Sequence, residues 1–205
     1  MTIQATLAQP TGTSAGTARD RTPYEACPLC GSDEFALLRE DDCTHHPSWA
    51  LPLSPSMRWM KCATCDHVFI EGPFTDTALE TVFAVTQKNQ AAGANLEVNR
   101  PISARMIEKV LPYRDGGAWL DVGFGNGSLM FTAHEYGFDV TGLDLREAEV
   151  SRMKQFGFDA HAVDLVAAGF RERFDVMSMA DVLEHTPDPV AMLSAAHTGL
   201  RDGGV

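Results

Sequence analysis

Leu120-Asp121-Val122-Gly123-Phe124-Gly125-Asn126-Gly127 is the stretch that decides the fold of this 205-residue chain. A short apolar run, Ala118–Val122, ends in a turn with glycine at alternate positions. Ser128–Tyr136 then places Leu129, Ala133 and Tyr136 at helical spacing. Glycines after a strand let the backbone pass close to a ligand with no Cβ in the way. Downstream, Val140–Leu143 reads as a second strand and Glu147–Phe156 as a helix closed by Gly157. Ala160–Val163 is a third strand and Phe174–Met179 a fourth, and Asp188-Pro189 opens a helix running through Leu200 to Gly203-Gly204. Strands alternating with helices predict a parallel α/β sheet with right-handed crossovers and helices on both faces.

Three of these strands end in a carboxylate. Asp121 ends the first, Asp144 the second within Thr141-Gly142-Leu143-Asp144-Leu145, and Asp164 the third. In open α/β sheets ligands sit beyond the carboxyl ends of the strands. A carboxylate at Asp144 can accept hydrogen bonds from both hydroxyls of a ribose, and one at Asp164, with the neighbouring amide, can read an adenine edge. A glycine turn alone is equally compatible with a tight connection that binds nothing; three acid-terminated strands favour a nucleoside-containing ligand. A dinucleotide loop needs Gly-x-Gly-x-x-Gly facing a pyrophosphate. Here the spacing is Gly-x-Gly-x-Gly, Ser128 holds the sixth position, and Asp121 would repel a pyrophosphate. A sulfonium with an α-amino group suits these charges better.

On Asp121-Val122-Gly123-Phe124-Gly125-Asn126-Gly127, Asp144, Asp164, Phe174-Asp175-Val176 and Asp181-Val182-Leu183-Glu184-His185-Thr186-Pro187-Asp188-Pro189, the chain resembles the class I S-adenosylmethionine-dependent methyltransferases over residues 102–205. Leu200-Arg201-Asp202-Gly203-Gly204 looks like that family's turn before its fifth strand. The resemblance implies a Rossmann-like fold and a transferase of methyl groups to a small-molecule acceptor. It implies that Gly123, Gly125 and Gly127 approach the methionine part of the cofactor and that Asp121 faces its amino group directly or through water. Asp144 would bind the ribose, Asp164 with Leu165 the adenine, Ala180 and Asp181 would line the floor near the sulfonium, and Leu145 would be a further cofactor-binding residue. His185, after the fourth strand, is a candidate base because imidazole titrates near working pH. The competing role for Glu184-His185 is a structural turn before the next helix. Two features depart from the family: Phe124 stands where small residues are common, and the sheet stops after four strands in the expected order 3-2-1-4. The fourth strand is therefore expected to carry an unpaired hydrophobic edge, with the chain truncated or the missing strands coming from elsewhere.

Cys27-Pro28-Leu29-Cys30-Gly31 and Cys62-Ala63-Thr64-Cys65 form two Cys-x-x-Cys pairs separated by a Pro-rich stretch. Each pair can turn two thiolates towards one tetrahedral ion, so Cys27, Cys30, Cys62 and Cys65 are expected to bind a structural zinc. Cys43 is left over as a free thiol. His45, His46 and His67 are an alternative ligand set, with His45 and His46 read as loop residues that could reach substrate. This module is similar to the zinc-binding domain that precedes the methyltransferase domain in sugar C-methyltransferases and related natural-product enzymes. There the metal is structural and the module helps to wall the substrate pocket.

The remaining organisation follows from composition. Residues 1–22 offer almost nothing to bury and read as a disordered tail. Residues 23–73 are the zinc-ribbon module, 74–100 a helical linker or lid, and 101–205 the cofactor domain. Thr75 or Asp76 caps the first linker helix, and Asn99-Arg100-Pro101 reads as the start of a second that Pro112 ends. Sixteen basic against 28 acidic residues give a net charge of −12, spread through the chain, which opposes nucleic acid and membrane surfaces as partners. The lack of a spanning apolar run or signal-like N-terminus points to the cytoplasm. Two other function classes compete: a nicotinamide-dependent oxidoreductase, and a zinc-ribbon adaptor with a vestigial cofactor fold.

Overall fold

The computed structural model describes residues 20–47, 49–86 and 90–205. The tail expected over 1–22 lies outside the described residues as far as position 19. From Asp20 the chain is already tied in. Asp20 accepts the Ser54 amide at 2.8 Å, and Arg21 is buried, donating to the Gly72 carbonyl at 2.8 Å with its guanidinium 3.6 Å from the Phe74 ring centre.

The N-terminal module is an antiparallel sheet of β1 (Phe35–Asp42), β2 (Ser56–Cys62) and β3 (Val68–Ile70), in that order. Phe69 packs edge-on against Phe35 and Tyr24, at ring distances of 5.4 and 5.9 Å, over the buried thiols Cys27 and Cys62. Two helices follow. α1 (Asp76–Thr86) is capped by Thr75, whose hydroxyl accepts the Ala78 amide, in agreement with the sequence reading. α2 (Leu96–Val110) starts a turn before the expected Asn99-Arg100-Pro101. Pro101 therefore lies inside the helix, where its ring nitrogen cannot donate to the carbonyl one turn earlier. The helix bears that loss because Ser103 and Ile107 are buried on its inner face.

The rest alternates: β4 (Gly117–Val122), α3 (Ser128–Glu135), β5 (Phe138–Leu143), α4 (Glu147–Gln155), β6 (Asp159–His161), α5 (Leu165–Ala168), β7 (Val176–Ser178), a 3-10 turn at Leu183–His185, and α6 (Pro189–Gly199). Among the described residues β6-β5-β4-β7 form one parallel sheet, the expected 3-2-1-4 order of a Rossmann-like fold. The edge of β7 is not bare, because Val205 donates to the Asp175 carbonyl and accepts the Met177 amide, at 3.0 and 2.9 Å. The single-turn α5 was not anticipated; Asp164 caps it by accepting the Ala167 amide at 2.9 Å.

Each face of this sheet carries its own core. On one side Trp119, Phe138, Val140 and Val176 meet Ile107 of α2, Leu129 and Met130 of α3, and Met153 of α4. On the other, Leu120, Val122 and Leu143 meet Leu165 of α5 and Met192 and Ala196 of α6. Successive strand residues point to opposite faces, so β4 divides Trp119 from Leu120. Leu120 is fully buried on the central strand. Leu120→Ala should therefore lower stability by about 2–5 kcal/mol, read as a reduced denaturation midpoint with an unchanged slope.

Candidate functional site

The glycine turn leaves β4 and folds back over the end of β5. The amides of Gly123 and Phe124 both donate to the Leu143 carbonyl, at 2.7 and 3.1 Å. Gly123 has φ +69°, and a Cβ there would lie 2.5 Å from the Val182 side chain, so the segment after β7 is pressed onto the loop. Gly125 has φ +58° and is different: apart from a carbonyl at 3.9 Å, its Cβ would meet open space. No side chain packs on this side of the turn. Gly127 closes the turn, donating to Phe124 and leading into α3. Phe124 is buried in the core beside Met130, so its bulk is accommodated beneath the loop.

Asp121 is buried where β4 meets this turn. Its Oδ1 accepts the Ser178 hydroxyl at 2.7 Å, and the Ser178 oxygen in turn accepts the Trp119 indole N–H at 2.8 Å. Burial pushes the Asp121 carboxyl up to about 7; the Ser178 hydrogen bond opposes the shift and the charge of Asp144 adds to it. Asp144 ends β5 and has a very different environment. Its Oδ1 accepts the Arg146 amide and Nε at 3.0 and 2.9 Å, and its Oδ2 accepts the Gly125 amide and Arg146 Nη2 at 3.2 and 2.7 Å. Hydrogen bonding to Asp144 holds Arg146 more firmly in its charged form.

Residues before α2 close over the same loop. Gly93 donates to the Asn126 carbonyl at 2.9 Å, Asn126 Nδ2 donates to Ala94 at 2.7 Å, and Ala92 donates to the buried Glu149 carboxylate at 2.6 Å. Ser103 of α2 hydrogen-bonds Ser128 at 3.0 Å.

Asp121, Gly123, Gly125, Gly127, Asp144 and Leu145 thus lie together at the carboxyl ends of β4 and β5, with Leu145 exposed. Ala180 and Asp181, both exposed, follow β7, and Asp181 takes the left-handed conformation at φ 53°. His185 is exposed in the 3-10 turn, its amide donating to Val182 at 2.9 Å. Asp164 is exposed after β6, and the Leu165 side chain is committed to the core, which leaves its main chain as the part able to meet a ligand. Reading by motif missed Ser178, Trp119, Glu149 and Arg146. Only Arg146 carried a sequence signal, since it stands at the N-cap of α4, where Ser, Thr, Asp or Asn is preferred.

The four cysteines converge as their spacing predicts. The sulfurs of Cys27, Cys30, Cys62 and Cys65 all lie within 4.8 Å of one another, with Cys27–Cys65 at 3.8 Å and Cys30–Cys62 at 3.6 Å. A tetrahedral ion with Zn–S bonds of about 2.3 Å sets its sulfurs about 3.8 Å apart. The two turns match: Gly31 and Asp66, each following a Cys-x-x-Cys, have φ of 73° and 60°. Four thiolates this close repel one another unless a cation sits between them, and the cluster fits a small zinc module. Cys43 lies outside it and donates to the Ser54 carbonyl at 3.3 Å, and burial pushes its thiol pKa up. His67 stacks on Phe69 at 5.5 Å. The module touches the second domain where Tyr24 donates to the Pro187 carbonyl at 2.8 Å. Beside that contact opens a cleft of about 630 Å³ bounded by Pro28, Leu29, Asp188 and Val190.

Residues 96–205 match a protein family described as a methyltransferase domain. A ubiquinone biosynthesis O-methyltransferase of Idiomarina loihiensis is 34% identical over 112 residues, 51% of this chain and 46% of that protein. A protein of the same description from Cereibacter sphaeroides is 38% identical over 110 residues, 49% of this chain and 43% of that one. The chain spans about half the length of the curated relatives it matches. Among solved structures, the 1,6-didemethyltoxoflavin-N1-methyltransferase of Burkholderia thailandensis, bound to 1,6-didemethyltoxoflavin and S-adenosylhomocysteine, superposes with a TM-score of 0.50. It is 19% identical, and the match covers 71% of this chain and 64% of that one.

The buried Asp121 makes stability depend on pH. Its carboxyl binds a proton more tightly folded, at about 7, than unfolded, at about 3.9, so the folded state holds more protons between those values. Stability should fall as pH rises from 4 to 8, by at most roughly 4 kcal/mol from this group. Asp121→Asn should flatten that decline, as measured by urea denaturation at pH 5 and pH 8.

Proposed function

The chain belongs to the methyltransferase-domain family, and from this membership and the site's geometry we propose that it binds S-adenosylmethionine and transfers the methyl group to a small-molecule acceptor. The observation that carries the reading is a glycine turn, Gly123–Gly127, set beside two buried carboxylates, Asp121 and Asp144, at the ends of adjacent parallel strands. A cationic amino acid conjugated to a nucleoside matches that charge; a pyrophosphate does not, which weighs against a nicotinamide cofactor.

The cofactor supplies an electrophilic methyl on a positively charged sulfur. Asp121 holds the ammonium group, and an adjacent cation favours its ionised form over the protonated one that burial favours. Asp144, next to Leu145, accepts the ribose hydroxyls. Asp164 and the main chain at Leu165 face the adenine, and Ala180 and Asp181 floor the reacting centre. Alignment of nucleophile, methyl and sulfur is the main requirement. An oxygen nucleophile is supported by relatives named as O-methyltransferases. His185 takes the proton of the attacking hydroxyl on an imidazole nitrogen. The acceptor reaches this centre alongside the cysteine module, whose Tyr24–Pro187 contact fixes one wall. Cys27, Cys30, Cys62 and Cys65 hold a structural zinc that keeps that wall folded.

Calorimetry with S-adenosylhomocysteine and with NAD separates the readings: the first should bind and the second should not. With small hydroxylated aromatics and sugars as acceptors, His185→Ala should keep cofactor affinity and lose about 10²–10⁴-fold in turnover. Unchanged turnover would remove His185 from the chemistry.

Elemental analysis of the purified chain should find one zinc per molecule. Cys62→Ser should lose the metal and melt the N-terminal sheet, seen as loss of dispersed amide resonances from residues 24–72, while β4–β7 keep theirs.

A further inference from the structure

Asp144 has no hydrogen-bonding capacity left for a ribose. A carboxylate offers about four acceptor positions. All four are taken: two by the main-chain amides of Gly125 and Arg146, which belong to the turn itself, and two by Nε and Nη2 of Arg146. The guanidinium is largely enclosed, with its side chain 10% exposed. Two of its three remaining N–H donors are also used, Nη2 reaching the Gly125 carbonyl at 3.0 Å and Nη1 the Gln90 carbonyl at 3.1 Å. Two adjacent N–H donors on a carboxylate imitate the two adjacent hydroxyls of a ribose in number and direction.

Resting on the cofactor reading above, we propose that Arg146 is an exchangeable plug: it occupies the ribose position on Asp144 in the free protein and is displaced when the nucleoside binds. The plug keeps a buried carboxylate paired while the site is empty, which prevents the cost of an uncompensated charge. Displacement breaks the two Arg146–Asp144 side-chain bonds and replaces them with two hydroxyl donors, so the carboxylate stays satisfied. It also releases the Gln90 and Gly125 carbonyls, which couples cofactor binding to the segment that precedes α2. The N-cap position of α4 makes this possible: the short polar residue preferred there could not reach back to Asp144 with a fork of donors.

The plug acts as an internal competitor, so the apparent affinity for the cofactor falls by the fraction of molecules left unplugged. Calorimetry on the full chain with S-adenosylhomocysteine as the probe should show Arg146→Ala binding about tenfold tighter than the unchanged protein. Arg146→Lys, which keeps the charge but cannot present two parallel donors, should fall between them. A second readout does not depend on affinity. The Arg146 Nε–H resonance, identified by its disappearance in Arg146→Lys, should be protected from solvent exchange in the free protein and lose that protection on saturation. Equal or weaker binding by Arg146→Ala, with unfolding midpoints matched, would overturn the proposal, as would an Nε–H that stays protected at saturation. Failure of S-adenosylhomocysteine to bind both the unchanged chain and Arg146→Ala would overturn the cofactor reading itself, and the plug with it.

Discussion

The central strand β4 is covered on both sides, and the site depends on that enclosure. Trp119 is held by α2 and α3 while Leu120 and Val122 are held by α5 and α6, so the strand cannot shift by one residue without exposing one core to water and driving the other into its neighbours. That fixed register delivers Asp121 to a buried position at the strand end, directly before the glycine turn. β5 is fixed in the same way by Val140 on one face and Leu143 on the other, and it delivers Asp144 alongside. The chemistry at the carboxyl ends of the strands follows from packing lower in the sheet.

Two buried carboxylates in one small region are an electrostatic problem, and the protein handles each differently. Asp121 takes a single hydroxyl donor and moves towards its protonated form, as a buried acid without a cation does. Asp144 instead pairs with a guanidinium, that of Arg146, at 2.7 Å. The contrast gives the two ends of the site different tasks. On the proposed reading, one end gains a positive partner when the cofactor binds and the other gives one up. The chain's net charge of −12 is therefore of two kinds: ordinary surface acids in water, and a few placed where a cation lowers their free energy.

Much of this was legible in the sequence because strand period, glycine spacing and acid placement are local signals that reinforce one another. The sheet order, the four converging cysteines and the resemblance to methyltransferases all follow from them. The start of α2 was misread because Pro101 looks like a first-turn residue, whereas burial of Ser103 and Ile107 stabilises a longer helix around it. The strands of the cysteine module left no trace, since seven of the eight residues of β1 are exposed and no alternating pattern marks them. Ser178 was invisible for another reason, and Arg146 showed only as an unusual N-cap. The role of Ser178 depends on a group the fold brings to it, Asp121 at 57 positions away, and spacing along the chain carries no information about that.

Trp119 carries a consequence of its own. Its indole N–H donates to the oxygen of Ser178, whose hydroxyl hydrogen donates to Asp121, so the ring is two hydrogen bonds from the carboxylate. The other two tryptophans, Trp49 and Trp59, lie in the N-terminal half of the chain, and Trp49 is bonded to the Ser54 carbonyl. A change of charge on Asp121 alters the field across one indole of the three. The side chains that pack the sheet thus also link one indole, through a single hydroxyl, to the carboxylate near the end of its central strand.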